Sequence, residues 1–160
     1  FAFGIYTGAR REEITQLKLS DITKDYIKIH AAKTRAGNRS VPIHPQLRPV
    51  IDALIASNPS PSSGSYLLFD LTANRDGKRS VQVGKRFSRL KTKLGFDDGH
   101  DFHSIRKTVS TQLEQAGVSE GISADILGHE KKTMTYGLYS GGSSMEQKTA
   151  AINLIDYELS

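Results

Sequence analysis

Cysteine is absent from the 160 residues. Disulfide frameworks and thiolate metal sites are thereby excluded, a small secreted scaffold is not expected, and a cytoplasmic protein is the expectation. No apolar run approaches the roughly 20 residues that a membrane-crossing helix needs. A signal-peptide pattern is missing too, because no basic segment precedes the short apolar stretch at residues 1–7. Metal-ligand spacing is lacking: His100 and His103 have no carboxylate or thiol partners at ligand distance along the chain, and Glu130 after His129 is not followed by a second histidine four residues on. Neither a metal nor another cofactor is expected, and no internal repeat is visible. Phe1 to Tyr6 reads as the end of an apolar helix without a preceding methionine or N-cap. The expectation is therefore a fragment of a longer chain that begins inside a structural element.

What is present suits one domain with a real core: 160 residues, 37% of them apolar. Acidic residues are outnumbered, with 17 Asp and Glu against 22 Lys and Arg, a net charge of +5 and a pI near 9.5. The cations are unevenly placed. Lys24, Lys28, Lys33, Arg35, Arg39 and Arg48 face one acid, Asp25, in their stretch. Arg75, Lys78, Arg79, Lys85, Arg86, Arg89, Lys91 and Lys93 likewise face only Asp76. Two such blocks in a small domain make a phosphate-tracking surface plausible.

Periodicity predicts a mainly helical α+β domain with one small antiparallel hairpin. Residues 10–17 read as a short helix with Ile14 and Leu17 inward. Residues 25–30 and 40–44 read as two strands, the second at an edge because of Pro42, joined by a basic turn. Residues 45–57 form an amphipathic pattern with Leu47, Val50, Ile51, Leu54 and Ile55 inward and Pro49 near its start. The Pro- and Ser-rich residues 58–65 read as a surface loop. Residues 80–94 carry an apolar stripe (Val83, Phe87, Leu90, Leu94) and a basic one (Lys85, Arg89, Lys93). Residues 101–116 follow with Ile105, Val109, Leu113 and Ala116 inward and Gly117 as the stop. Short helical pieces are expected at 123–127 and 132–138, a hinge at 141–144, and a last helix at 145–159 with Ile152, Leu154, Ile155 and Leu159 apolar.

Six positions along this pattern carry chemistry. Arg10 follows a tight Thr7–Gly8 turn at a helix start, where anions are favoured, and its planar fork matches phosphate oxygens; Glu13 stands one turn along as an ion-pair partner. Lys33 sits in the hairpin turn, either plainly solvated or reaching across a cleft. His103 and Arg106 are three apart on one helix and project from neighbouring points of a face. His129 follows Gly128, which permits a sharp bend. Tyr139 lies among small residues, either as a core aromatic or as a nucleophile, and Tyr136 one turn earlier competes with it.

Taken in order, Arg10, Lys33, His103, Arg106, His129 and Tyr139 resemble the signature of the tyrosine recombinases, phage and genomic-island integrases especially, over nearly the whole chain from about Phe3. The resemblance implies the integrase catalytic-domain fold across residues 1–160, with the parent's DNA-binding domains lying before residue 1. It also implies a bacterial or phage-encoded enzyme that cuts and rejoins DNA through a 3′-phosphotyrosine. In that scheme Arg10 and Arg106 clamp the phosphate and Tyr139 attacks it. Lys33 protonates the leaving 5′-oxygen, His103 serves as general base or acid, and His129 hydrogen-bonds a nonbridging oxygen. DNA contacts are expected from Arg35 and Arg39 on the hairpin, Lys85 and Arg89 on the basic stripe, and Lys107. The implied partner is double-stranded DNA carrying attachment sites, bound by a homotetramer, with the isolated fragment monomeric. The last helix then packs either on its own domain or on a neighbouring protomer. The rival functions are a type IB topoisomerase and a DNA-binding relative without catalysis.

Overall fold

The computed structural model describes residues 1–30, 37–129 and 142–157. Helix α1 (Ala2–Thr7) ends at Gly8, whose left-handed backbone (φ 61°) lets its N–H reach the Gly4 carbonyl at 2.9 Å. Helix α2 (Arg11–Gln16) follows at once, then a 3-10 turn (Leu19–Asp21). Strands β1 (Tyr26–Ile29) and β2 (Arg39–Pro42) pair antiparallel with Ile27 opposite Val41 and Ile29 opposite Arg39. Pro42 lies at the strand end of this two-stranded ribbon, where a missing N–H costs little. After α3 (Arg48–Ala56), an irregular stretch leads to α4 (Ser80–Lys93), α5 (Phe102–Gln115), α6 (Glu120–Leu127) and α7 (Met145–Ile152).

The core forms where the short elements meet. Ile27, Val41, Leu47, Ile51, Leu67, Val109, Leu113, Ile126, Leu127, Ile152 and Ile155 are all essentially inaccessible to solvent. Each such side chain contributes about 1.5–3 kcal/mol relative to exposure. Helix α5 runs through the middle, packed against α1 and α6. Its start is defined by Asp101, whose carboxylate accepts from Ser104 N at 2.9 Å, while Asp101 N donates to Ser104 Oγ at 3.1 Å. That cap places His103 in the first turn and Arg106 one turn later.

Several sequence expectations shift. The helix predicted at 45–57 starts only at Arg48, because Leu47 N and Arg48 N both donate to the His44 carbonyl and make a separate turn. Within it Val50 is exposed. In α4 the apolar stripe is half used: Val83 and Phe87 pack on the core, but Leu90 and Leu94 are exposed. Lys91 is tucked instead, its ammonium donating to the Asp97 carbonyl at 2.9 Å and to Asp98 Oδ1 at 3.1 Å. Arg79, part of the second cationic block, is also buried. Its guanidinium stacks 3.8 Å over the Tyr66 ring and donates to the Thr15 and Leu68 carbonyls. The Pro- and Ser-rich loop is a surface loop as expected, exposed over residues 59–64, and only the segment after it turns inward, Leu67 N donating to Leu17 O at 2.8 Å so that Leu67 enters the core.

The last helix ends at Ile152 rather than at 159. Residues 153–157 then turn so that Ile155 is buried and Leu154 is exposed. The tail docks on its own chain: Tyr157 Oη donates to Ile5 O at 3.1 Å, Gln112 Nε2 to Asp156 O at 3.3 Å, and Lys148 Nζ to Ser40 O at 2.8 Å. The predicted helix at 132–138 and the hairpin turn at 31–36 lie outside the described residues. Among the described residues no helix is long and apolar enough to cross a membrane.

Candidate active site

Three chain segments bring guanidinium groups to one place. The first is the turn between α1 and α2. Arg10 is the N-cap of α2 in extended conformation, and the Glu13 carboxylate accepts from Arg10 N at 2.8 Å (Oε2) and from Arg10 Nη1 at 2.8 Å (Oε1). One acidic side chain thus caps the helix and fixes the Arg10 fork. The second is α5, where Arg106 is buried and donates through Nη1 to the Gly8 carbonyl at 2.8 Å. The third is β2. Arg39 donates to Glu13 through Nη1 (3.1 Å) and Nη2 (2.9 Å).

A cleft of about 160 Å³ opens beside this cluster, lined by Arg10, Arg11, Glu12, His103 and Arg106 among others. Arg106 Nη2 is buried and has no hydrogen-bond partner among the described residues. A buried guanidinium N–H without a partner at a cleft wall costs free energy that a hydrogen bond to an anionic oxygen recovers. His103 is exposed in the first turn of α5.

His129 comes to the same place from α6. Gly128 closes that helix in the left-handed region (φ 72°), and both Gly128 N and His129 N donate to the Ala124 carbonyl, at 2.7 and 3.0 Å. The bend turns the Gly128 carbonyl toward Arg10, whose Nη2 lies 3.4 Å away.

The charges press on one another. Burial, then the neighbouring Arg10 and Arg39 cations, pull Arg106 down to about 10, so it remains a cation at neutral pH. Burial, followed by the charges of Arg106, Arg10, Arg39 and His103, lowers the His129 pKa and favours its neutral imidazole. Burial alone would raise the Glu13 carboxyl, but its bonds to Arg39 and Arg10 outweigh that and hold it below the usual carboxylate range. Among the described residues the site is therefore a net-positive pocket with one buried anion, Glu13, at its base.

Of the predicted chemical residues, Arg10, His103, Arg106 and His129 are brought together. Lys33, Arg35, Tyr136 and Tyr139 lie outside the described residues. Lys85, Arg89 and Lys107 are exposed. Arg39 is not: its side chain is 5% exposed and held by Glu13, by the Ile126 carbonyl (2.6 Å from Nε) and by the Gly37 carbonyl (2.8 Å from Nη1). The expectation of an outward DNA contact is corrected here. The signal was present in the sequence, since Arg39 lies two residues from Val41 and so shares its inward face. Among the described residues no cluster of three or more His, Asp and Glu side chains is placed to hold a metal ion.

The chain is similar to known proteins in sequence and in fold. Prophage integrase IntF of Escherichia coli is 25% identical over 131 residues, covering 81% of this chain and 27% of that protein. Tyrosine recombinase XerC of Rhodospirillum centenum is 26% identical over 129 residues, 80% of this chain and 37% of that protein. The chain thus spans only about a quarter to two-fifths of the curated relatives it matches. The integrase from mycobacterium phage Brujita superposes with a TM-score of 0.70 at 17% identity, over 96% of this chain and 49% of that one. The family model of the phage integrases matches residues 1–143, and the chain belongs to that family.

Proposed function

We propose that this chain is a catalytic domain of a site-specific DNA recombinase, working on double-stranded DNA as part of a longer protein. The observation that carries the reading is the convergence of Arg10, His103 and Arg106 on one cleft with His129 close by, and a buried Arg106 N–H at its wall that has no partner among the described residues. The names of the two curated relatives, an integrase and a tyrosine recombinase, agree with it.

In this mechanism a DNA phosphodiester enters the cleft and its nonbridging oxygens take the fork of Arg10 and the free N–H of Arg106. Charge grows on those oxygens in the transition state, so cations already fixed there by Glu13 and Gly8 stabilise it without reorganisation. Tyr139 Oη attacks phosphorus while the bond to the 5′-oxygen breaks. Lys33 gives that oxygen a proton, and the products are a 3′-phosphotyrosine and a free 5′-hydroxyl. His103 accepts the tyrosine proton and returns it in the reverse step. Neutral His129 donates an N–H to a nonbridging oxygen. A 5′-hydroxyl from a partner strand then attacks the phosphotyrosine and restores a diester, so the bond energy is conserved throughout.

Lys85, Arg89 and Lys107 meet the DNA backbone outside the cleft. The working assembly is a homotetramer on attachment-site DNA. An exchange of the C-terminal helix between protomers would require Ile152 and Ile155 to leave the core they occupy within the chain.

The test is a covalent-adduct assay with the full-length parent on DNA it binds, in EDTA, quenched with SDS. A DNA 3′-end linked to protein supports the proposal. Binding without any adduct would make the chain a DNA-binding relative that has lost catalysis.

A further inference from the structure

Arg39 makes the most heavily committed side-chain interactions near the site. Its guanidinium forms a bidentate pair with Glu13, with Nη1–Oε1 at 3.1 Å and Nη2–Oε2 at 2.9 Å. Its Nε donates to the Ile126 carbonyl at 2.6 Å and its Nη1 to the Gly37 carbonyl at 2.8 Å. Three parts of the chain therefore converge on one side chain: α2 through Glu13, the last turn of α6 through Ile126, and the exit of the hairpin turn through Gly37.

Each of these parts leads to a proposed catalytic group. Glu13 holds both the backbone N–H and the guanidinium of Arg10. Ile126 lies three residues before His129, on the helix whose final bend aims that residue. Gly37 is four residues from Lys33.

The packing is close enough to fix the bend itself. A Cβ on Gly128 would fall 2.6 Å from Arg39 Nη1 and 2.9 Å from its Cζ, so the α6 terminus lies directly against the guanidinium. A lysine at position 39 could keep a charge near Glu13. It has no planar fork to bridge a carboxylate and two carbonyls at once.

We propose that Arg39 is a positioning residue for strand cleavage, acting through Glu13 on Arg10 and through the α6 terminus on His129 rather than by touching DNA. This rests on the recombinase reading above. Small displacements of groups that hold a reacting centre cost rate out of proportion to their effect on binding, on the order of 100-fold for a shift of about 1 Å.

The experiment uses the full-length protein with attachment-site DNA. It compares wild type with Arg39→Lys, Arg39→Gln, Glu13→Gln and the Arg39→Gln/Glu13→Gln double variant. Dissociation constants are measured first. Adduct formation is then followed in single-turnover reactions at saturating DNA and expressed per DNA-bound molecule, so any unfolded fraction drops out.

The expected result for Arg39→Lys is a Kd within about threefold of wild type and a cleavage rate lower by about tenfold or more. The double variant should be little worse than the slower single variant, because both remove one linkage. An unchanged rate in Arg39→Lys and Arg39→Gln would overturn the inference, as would fully multiplicative losses in the double variant. A raised Kd with an unchanged rate would return Arg39 to the DNA-contact role. Failure of the wild type itself to form an adduct would instead overturn the recombinase reading, leaving the two outcomes distinct.

Discussion

Arg106 and Gly8 are joined across 98 residues of sequence by a 2.8 Å hydrogen bond from the guanidinium to the glycine carbonyl. The bond ties the central helix to the turn that launches Arg10, so the two proposed phosphate-binding arginines share one support. Gly8 holds a positive φ of 61°, and a Cβ there would collide with the Leu127 side chain and crowd Val109.

Gly8→Ala should therefore be costly twice over. A non-glycine residue in the left-handed region loses about 1–2 kcal/mol, and overpacking against a filled core adds about 1–3 kcal/mol. We expect at least about 2 kcal/mol lost in urea unfolding, with cleavage reduced in whatever remains folded. Gly77, whose φ is also positive but which has open space beside it, should lose only the smaller backbone contribution when changed to Ala.

Arg106→Lys addresses the cleft directly. Lysine retains a charge but cannot donate to Gly8 O and to a phosphate oxygen through one rigid fork. Cleavage at saturating DNA should fall by about 10²–10³-fold, the usual loss for one preorganised donor to transition-state charge. A loss confined to DNA affinity would indicate that Arg106 binds the ground state only.

Two histidines make stability depend on pH in a predictable direction. Burial lowers the pKa of His44, whose Nδ1 accepts from Gln46 N at 3.1 Å, and burial with nearby arginine charge lowers that of His129. In the unfolded chain both return to about 6.5. The unfolded state then binds more protons as the pH drops below that value, so stability is retained above it and lost as pH falls through the lower folded-state values. Urea midpoints measured from pH 8 down to pH 5 should decline below pH 6.5. The decline should be shallower in a His44→Gln/His129→Gln variant, and an equal slope in both proteins would contradict the assignment.

Ile155 tests the docked tail. It is 1% exposed although it lies beyond the end of α7. Ile155→Ala should cost about 2–4 kcal/mol, whereas Leu154→Ala at the exposed neighbouring position should cost little. Equal effects at both positions would mean that the tail is not held as described.

Much of this was legible in the residues. Periodicity predicts a helix over 101–116 with a stop at Gly117, and the structure has α5 at Phe102–Gln115 carrying both His103 and Arg106. The αL turns at Gly8 and Gly128 were signalled by glycine beside a chemical residue.

What sequence did not reveal depended on partners far along the chain. Glu13 was visible as a neighbour of Arg10, but its second partner, Arg39, is 26 residues away and was counted among surface cations. Arg79 and Lys91 were likewise counted as surface charge, though carbonyls at Thr15, Leu68 and Asp97 draw them inward. Leu90 and Leu94 follow the helical period faithfully, yet α4 extends past the core that would have covered them. Charge counting and periodicity register what a residue is, while burial depends on what lies opposite it.

The most direct test of the central claim is to identify the residue that becomes joined to DNA. The full-length protein is trapped as an SDS-stable adduct and digested, and the nucleotide-bearing peptide is sequenced by mass spectrometry, alongside Tyr139→Phe and Tyr136→Phe. The expected result is a 3′-phosphotyrosine at Tyr139, with the adduct lost in Tyr139→Phe and retained in Tyr136→Phe. An adduct that persists in Tyr139→Phe, or no adduct on DNA that the wild-type protein demonstrably binds, would contradict it.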